Sequence, residues 1–210
     1  MRNALIAAAT LAAAVVAGAC APTAAGGAAG ACRTSPEPVV AVVDFGNTTA
    51  TFGTTVTGVE EAATARLITL LKESSCYVVV ERSELQRLIS QQGLESTRPE
   101  ALARAAGAGY VITGVVTRAT VATPQVSALG IRVGATQAQV EVDVRATDII
   151  TGTVVVSKTG AGRASNPNLR VSSLPVGGTL AFDDPALGPL LAEAANAAVQ
   201  DVVTAIRSAF

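Results

Sequence analysis

The sequence predicts an α/β domain of the α+β kind, a three-layer core in which helices flank a mixed sheet, behind an export signal and a linker. Three observations carry this. Short apolar runs rich in β-branched residues alternate with helical stripes through the first half of the chain. The second half changes to a strict apolar-polar alternation, the period of a sheet with one wet face. The amino end is an uncharged apolar run that stops at a cysteine.

That amino end, MRNALIAAATLAAAVVAGAC, has one positive residue and then 16 uncharged residues from Ala4 to Ala19. A spanning helix needs about 20 apolar residues, so the run is too short to cross a bilayer, and residues 1–19 read as a secretory signal peptide. Ala17, Gly18 and Ala19 fit an A-x-A cleavage site. With Cys20 they also fit a lipobox, in which Cys20 becomes the lipidated first residue, and both fates stay open. Residues 20–37 form a flexible Ala/Gly/Pro linker with an r.m.s. reach of roughly 20–25 Å. A lipid on Cys20 would hold the following domain, 38–210, against a membrane leaflet.

Export also sets the chemistry of Cys32 and Cys76, which would meet an oxidising compartment as an even pair. Each precedes a strand-like run, so parallel neighbouring strands would allow a disulfide. Cys76 reads equally well as a small buried hydrophobe.

VVAVVDF, Val39 to Phe45, is continuously apolar, as a strand covered on both faces must be. A Thr/Gly loop follows, and from Val59 the spacing of Ala63, Leu67, Leu70 and Leu71 predicts a helix with Glu60 and Glu61 favourably placed in its first turn. CYVVVE returns to strand. Glu81 and Arg82 then sit at a strand-to-helix corner, and Ser83 with Gln86 makes a capping-box pattern for a helix that buries Leu85, Leu88 and Ile89. A third helix has Pro99 in its first turn and ends at Gly107. YVITGVVT is the next strand, and the strand-helix-strand-helix-helix-strand order implies parallel neighbours.

In the second half, Val140, Val142, Val144 and Ala146 alternate with Glu141, Asp143 and Arg145, then turn at a Thr-Gly pair and continue through Val154–Val156, an antiparallel hairpin. From Pro189 a last helix carries Leu191, Ala194, Ala198, Val202 and Ile206 at helical spacing. Two stretches of about 20 residues, 118–138 and 160–182, rich in Gly, Ser, Thr and Val with partial alternation, have no assigned element, and insertions of that length in a compact domain usually mean function or disorder.

Composition narrows the chemistry. The chain holds 50% apolar residues but only 3% aromatic ones, no Trp and no His, with net charge -1. Without stacking platforms or a basic face it is not built for nucleic acid. Without His, triad-type nucleophile activation is excluded and a zinc site is disfavoured. The glycines after the first strand, Gly46, Gly53 and Gly58, lack both the GxGxxG and the Walker lysine, and Glu60 and Glu61 would repel phosphate there. Asp183 and Asp184 before Pro185 read as a helix-start signal. The expectation is a protein with no catalytic residue, no metal and no cofactor.

The run AATARLITLLKESSCYVVVERSELQRLISQQ, Ala62 to Gln92, resembles the helix-strand-helix of the CsgG family, the lipoproteins of curli production, assembly and transport. YVITGVVT and VEVDVRATDIITGTVVVSKT are similar to that family's later strands, in the family's order. The resemblance implies a periplasmic α/β domain on the outer membrane, held by the lipid on Cys20 and assembled as a homo-oligomeric ring. It implies that 118–138 and 160–182 are the two hairpins each subunit gives to a barrel for export of unfolded protein. It also makes Asn47 and Phe52 candidates for the pore lining, with secreted or envelope proteins as partners. Family members that form no pore and act as periplasmic adaptors, activating peptidoglycan synthases or anchoring adhesins, give the alternative. Residue chemistry leaves that alternative open, since neither segment holds Trp or Tyr for an aromatic girdle, and Arg163, Asn166, Pro167, Asn168 and Arg170 fit lipid poorly.

Overall fold

The computed structural model describes residues 32, 36–49, 55–80, 82–92, 99–123, 125–128, 131–169 and 179–210. The strands are β1 (Val39–Val42), β2 (Gly46–Asn47), β3 (Thr55–Thr57), β4 (Val78–Val80), β5 (Tyr110–Ala122), β6 (Gln125–Ala128), β7 (Ile131–Gly134), β8 (Thr136–Asp148), β9 (Val154–Asn166) and β10 (Thr179–Ala181). The helices are α1 (Val59–Glu73), α2 (Arg82–Gln92), α3 (Pro99–Ala105) and α4 (Gly188–Ala209).

β1 is apolar throughout because both its faces are covered: Val40 and Val42 enter one core cluster and Ala41 the other. It pairs in parallel with β4 on one side and β5 on the other, and β8 and β9 extend the sheet antiparallel, giving the order β4-β1-β5-β8-β9. β2 adds a short parallel step on β5. α1 and α4 cover one face of this mixed sheet. On the other, α2 and α3 cover β4, β1 and only the first part of β5, where Leu85, Leu88, Leu102 and Ala103 pack with Ala41, Val111 and Ile149. The three-layer α+β fold expected from the sequence is the fold observed.

Local signals place most element ends. Gly58, at φ 84°, turns the chain into α1, whose buried stripe is Val59, Ala63, Thr64, Leu67 and Leu71. The Thr64 hydroxyl donates to the Glu60 carbonyl at 2.7 Å and accepts the Phe45 N–H at 3.1 Å, fastening the exit of β1 to the helix. α3 ends in a Schellman arrangement around Gly107 at φ 72°, with the Ala108 N–H on the Ala103 carbonyl and the Gly107 N–H on that of Arg104. Ser83 does not cap α2. The chain turns so soon after β4 that the helix already begins at Arg82, leaving Ser83 exposed inside the first turn. The Thr-Gly turn predicted between β8 and β9 is present, with Gly152 at φ 70° and the Asp148 carboxylate accepting the Ile150 and Thr151 N–H groups at 2.8 and 2.9 Å.

Among the described residues the two unassigned stretches differ. In 118–138, β5 and β8 continue the main sheet as far as Ala122 and Thr136, and β6 and β7 extend the same antiparallel ladder in unbroken register, Ala122 pairing with Gln137 and Gln125 with Gly134, so that this stretch is a hairpin. In 160–182, the first residues are the second half of β9, and the last are β10, which pairs in parallel with β3 and buries Leu180 beside Val56. β9 lies against α4 at backbone distance. A Cβ at Gly160 would stand 2.2 Å from the Ala198 carbonyl oxygen, and one at Gly162 would stand 1.8 Å from that of Ala194. Two strand glycines therefore face the small side of a helix that buries Ala194, Ala195 and Ala198.

Three of the six aromatic residues are used together. Phe210, just past α4, meets the rings of Tyr77 and Tyr110 edge-on at 5.9 and 4.6 Å between centroids, closing the end of the helix onto β4 and β5.

Candidate interaction surface

Of the two residues named for a pore lining, Asn47 sits in a hydrogen-bonded node. Asn47, placed by β2 beside β5, donates its amide N–H groups to the Val56 carbonyl at 2.9 Å and to Glu60 Oε2 at 2.8 Å. Its carbonyl oxygen accepts from the Thr49 N–H and hydroxyl at 3.0 and 2.7 Å. Asn47 thus ties β2, β3 and α1 together with both ends of its amide engaged. Phe52, Cys20 and Glu81 lie outside the described residues, as does the side chain of Arg82. Cys32 and Cys76 form a disulfide, Cα to Cα 5.3 Å, joining the segments that lead into the parallel neighbours β1 and β4. Asp184 accepts the Ala186 and Leu187 N–H groups, both at 2.9 Å, at the entry to α4.

The surface with organised polar chemistry is the face of β5-β8-β9 that α2 and α3 leave uncovered. Burial alternates along β8: Ala138, Val140, Val142 and Val144 point at α4, while Gln137, Gln139, Glu141, Asp143 and Arg145 point away. Pairing register sets these into rows across three strands, Arg118-Glu141-Ala161, Thr120-Gln139-Arg163 and Ala122-Gln137-Ser165. Glu141 pairs with Arg118 at 3.4 Å and accepts the Gln139 amide N–H at 2.7 Å. Asp143 accepts the Thr159 hydroxyl at 2.5 Å. The upper rows enclose an open groove of about 480 Å³. The alternation of β8 showed that one face is wet; which side chains meet across strands depended on register, which has no local signal.

A second feature lies at the other end of the sheet. Ile150 is 88% exposed in the β8-β9 turn, next to Val154 and Val155 at the start of edge strand β9, and Val78 is half exposed on the opposite edge strand β4. The pairings of Val39 with Val78, Val40 with Tyr110, and Tyr110 with Asp148 put the two patches at the same level of the sheet. Two charged contacts fix β9 and α3 nearby: Lys158 to Asp201 of α4 at 3.1 Å, and the Arg104 guanidinium to the Ile149 carbonyl at 2.9 Å. Among the described residues no helix is long and apolar enough to cross a membrane, and no cluster of His, Cys, Asp or Glu could hold a metal.

Residues 28–209 match the family model described as curli production assembly/transport component CsgG. No curated protein matches the chain. Among solved structures, the hypothetical protein CT253 from Chlamydia trachomatis is similar at 9% identity and a TM-score of 0.51, with 82% of this chain and 97% of that one covered. The lipoprotein GNA1162 from Neisseria meningitidis is similar at 19% identity and a TM-score of 0.48, over 81% and 99% of the two chains. The PelC dodecamer from Paraburkholderia phytofirmans is similar at 17% identity and a TM-score of 0.43, over 80% and 86%.

Proposed function

We propose, because the chain belongs to the CsgG family, that it is an exported envelope lipoprotein, anchored through Cys20 at the periplasmic face of the outer membrane. There it acts as a ring-forming scaffold for other envelope proteins, through binding alone and without a chemical step. The observation that carries the non-pore form of this reading is the contact of Gly160 and Gly162 with the backbone of α4. A strand held that closely is part of the core, and releasing it to line a barrel would strip α4 of the surface it buries. The β6-β7 hairpin continues the β5-β8 ladder in one register, with pairs from Arg118–Glu141 to Ala128–Ile131, a length that fits membrane strands and favours the second reading below.

The placement of the apolar patches supports the ring. Val78 on one sheet edge and Ile150, Val154 and Val155 on the other are different surfaces at the same level, the arrangement for a head-to-tail contact that closes by rotation. Light scattering of the purified lipidated chain in detergent should give one discrete oligomer, and Ile150→Asp should reduce it to monomer. A monomeric parent protein would remove the ring from the reading.

The family also supports a second reading, a secretion pore. It requires β9 beyond Gly160 to leave α4 on assembly. Planar bilayers separate the two, since the scaffold gives no unitary conductance and the pore gives stable channels. Loss of lipid labelling and of membrane retention in Cys20→Ser would establish the anchor; a wild-type chain that takes no lipid would refute it.

A further inference from the structure

Arg163 stands on the open sheet face with no charge to answer it. Among the described residues it has no ion-pair partner, since the only carboxylate in the neighbouring row, Glu141, is already engaged by Arg118 and Gln139. Around it the rows Thr120-Gln139-Arg163 and Ala122-Gln137-Ser165 present two amides, two hydroxyls and one guanidinium to a groove of about 480 Å³, and no carboxylate lines it.

That volume is in the range of small-molecule sites, roughly 300–1,000 Å³, but such sites are mostly walled by apolar and aromatic groups. Here the only apolar side chain on the open face is that of Ala122, since Ala138 and Ala164 border the groove but turn their methyl groups to the α4 side. An apolar ligand would gain little, and a neutral sugar would find no ring to stack on. A ligand with one carboxylate and several hydroxyls matches the wall group by group, because a guanidinium takes a carboxylate in two parallel hydrogen bonds while amides and hydroxyls exchange donors and acceptors with alcohols. We infer that this groove binds an acidic saccharide, with the sugar carboxylate on Arg163 and the hydroxyls on Thr120, Gln137 and Ser165. An extended acidic peptide fits less well, since pairing with the edge of β9 would leave the amides and hydroxyls of Thr120, Gln137 and Gln139 on the sheet face unused. The inference is independent of how the chain is anchored or assembled.

Calorimetric titration of the full chain with trigalacturonate in 50 mM NaCl tests it, with galactotriose, inorganic phosphate and hexaglutamate as comparison ligands. Saturable binding of trigalacturonate alone is expected, weakened about tenfold by Arg163→Gln and weakened further at 300 mM NaCl. Arg163 is exposed, so the variant should keep the parent melting temperature, and Arg145→Gln on the same face should bind as the parent does. Absence of trigalacturonate binding would overturn the inference, as would equal binding of galactotriose, phosphate or hexaglutamate. Unchanged affinity in Arg163→Gln would do so as well.

Discussion

Replacing Gly162 with alanine adds one methyl group where β9 touches α4. The new Cβ would stand 1.8 Å from the Ala194 carbonyl oxygen and 2.6 Å from the Ala198 nitrogen. Both obstacles are helix backbone, which cannot rotate aside as a side chain can. Normal contact needs about 3.4 Å, so α4 must lift from β9 by about 1.5 Å. Its buried face, which includes Leu191, Ala194, Ala198, Val202 and Ile206, moves with it. Over-packing costs typically 1–3 kcal/mol when side chains can adjust, so about 3 kcal/mol is expected here. At roughly 2–4 °C per kcal/mol for a domain of this size, Tm should fall by about 6–12 °C in a circular-dichroism melt. Gly152→Ala is the matched control: it meets nothing within 4 Å and carries only the strain of φ 70°, about 1 kcal/mol. Equal losses in the two variants would refute the claim that β9 is bound to α4 at backbone distance.

Three further outcomes follow from other parts of the fold. Cys76→Ser opens a bridge across 44 positions and by chain entropy costs about 4 kcal/mol, visible as a lower urea midpoint that dithiothreitol also produces in the parent. Asn47→Ala leaves Glu60 and the Val56 carbonyl without their amide donor and should cost about 2 kcal/mol by denaturant titration, with no change in any transport or binding readout beyond that loss. The Thr151 and Ile150 N–H groups hold the Asp148 carboxyl below its ordinary value of 3.8. A carboxyl depressed in the folded state stabilises the protein above its unfolded value, and that contribution disappears as pH falls through the folded one. Asp148→Asn should therefore narrow the stability difference between neutral pH and pH below about 4, and an unchanged acid limb would remove the role of this turn.

The elements that declare themselves locally were legible in the sequence. The bipartite apolar run of β1, the alternation of β8, the spacing of α1 and α4 and the glycine at the end of α3 each followed from one segment and its covering. The strand at the start of segment 160–182 has no sequence signal because alternation in β9 is one of size, not of hydropathy. Gly160, Gly162 and Ala164 face α4, and their neighbours Ala161, Arg163 and Ser165 are also small or polar, so no apolar stripe marks the buried side. The same close packing explains a domain rich in alanine and poor in aromatics: helix and strand meet at backbone distance and leave no room for rings. The Arg163 groove was illegible for a different reason, since it exists only once register aligns residues more than twenty positions apart. Cys32 and Cys76 had two open readings from sequence, and the parallel pairing of β1 with β4 is what brings them within bonding reach.

The account turns on β9 being core strand and not membrane strand, and the chain's lack of tryptophan allows that to be measured against no background. Ser165 and Asn166 are exposed and consecutive, so one of them would face lipid in any barrel register. Ser165→Trp and Asn166→Trp should each emit as a water-exposed indole when the lipidated protein is bound to vesicles, with no quenching by brominated lipid. Blue-shifted emission from either variant, strongly quenched by bromine in the acyl chains, would contradict the account.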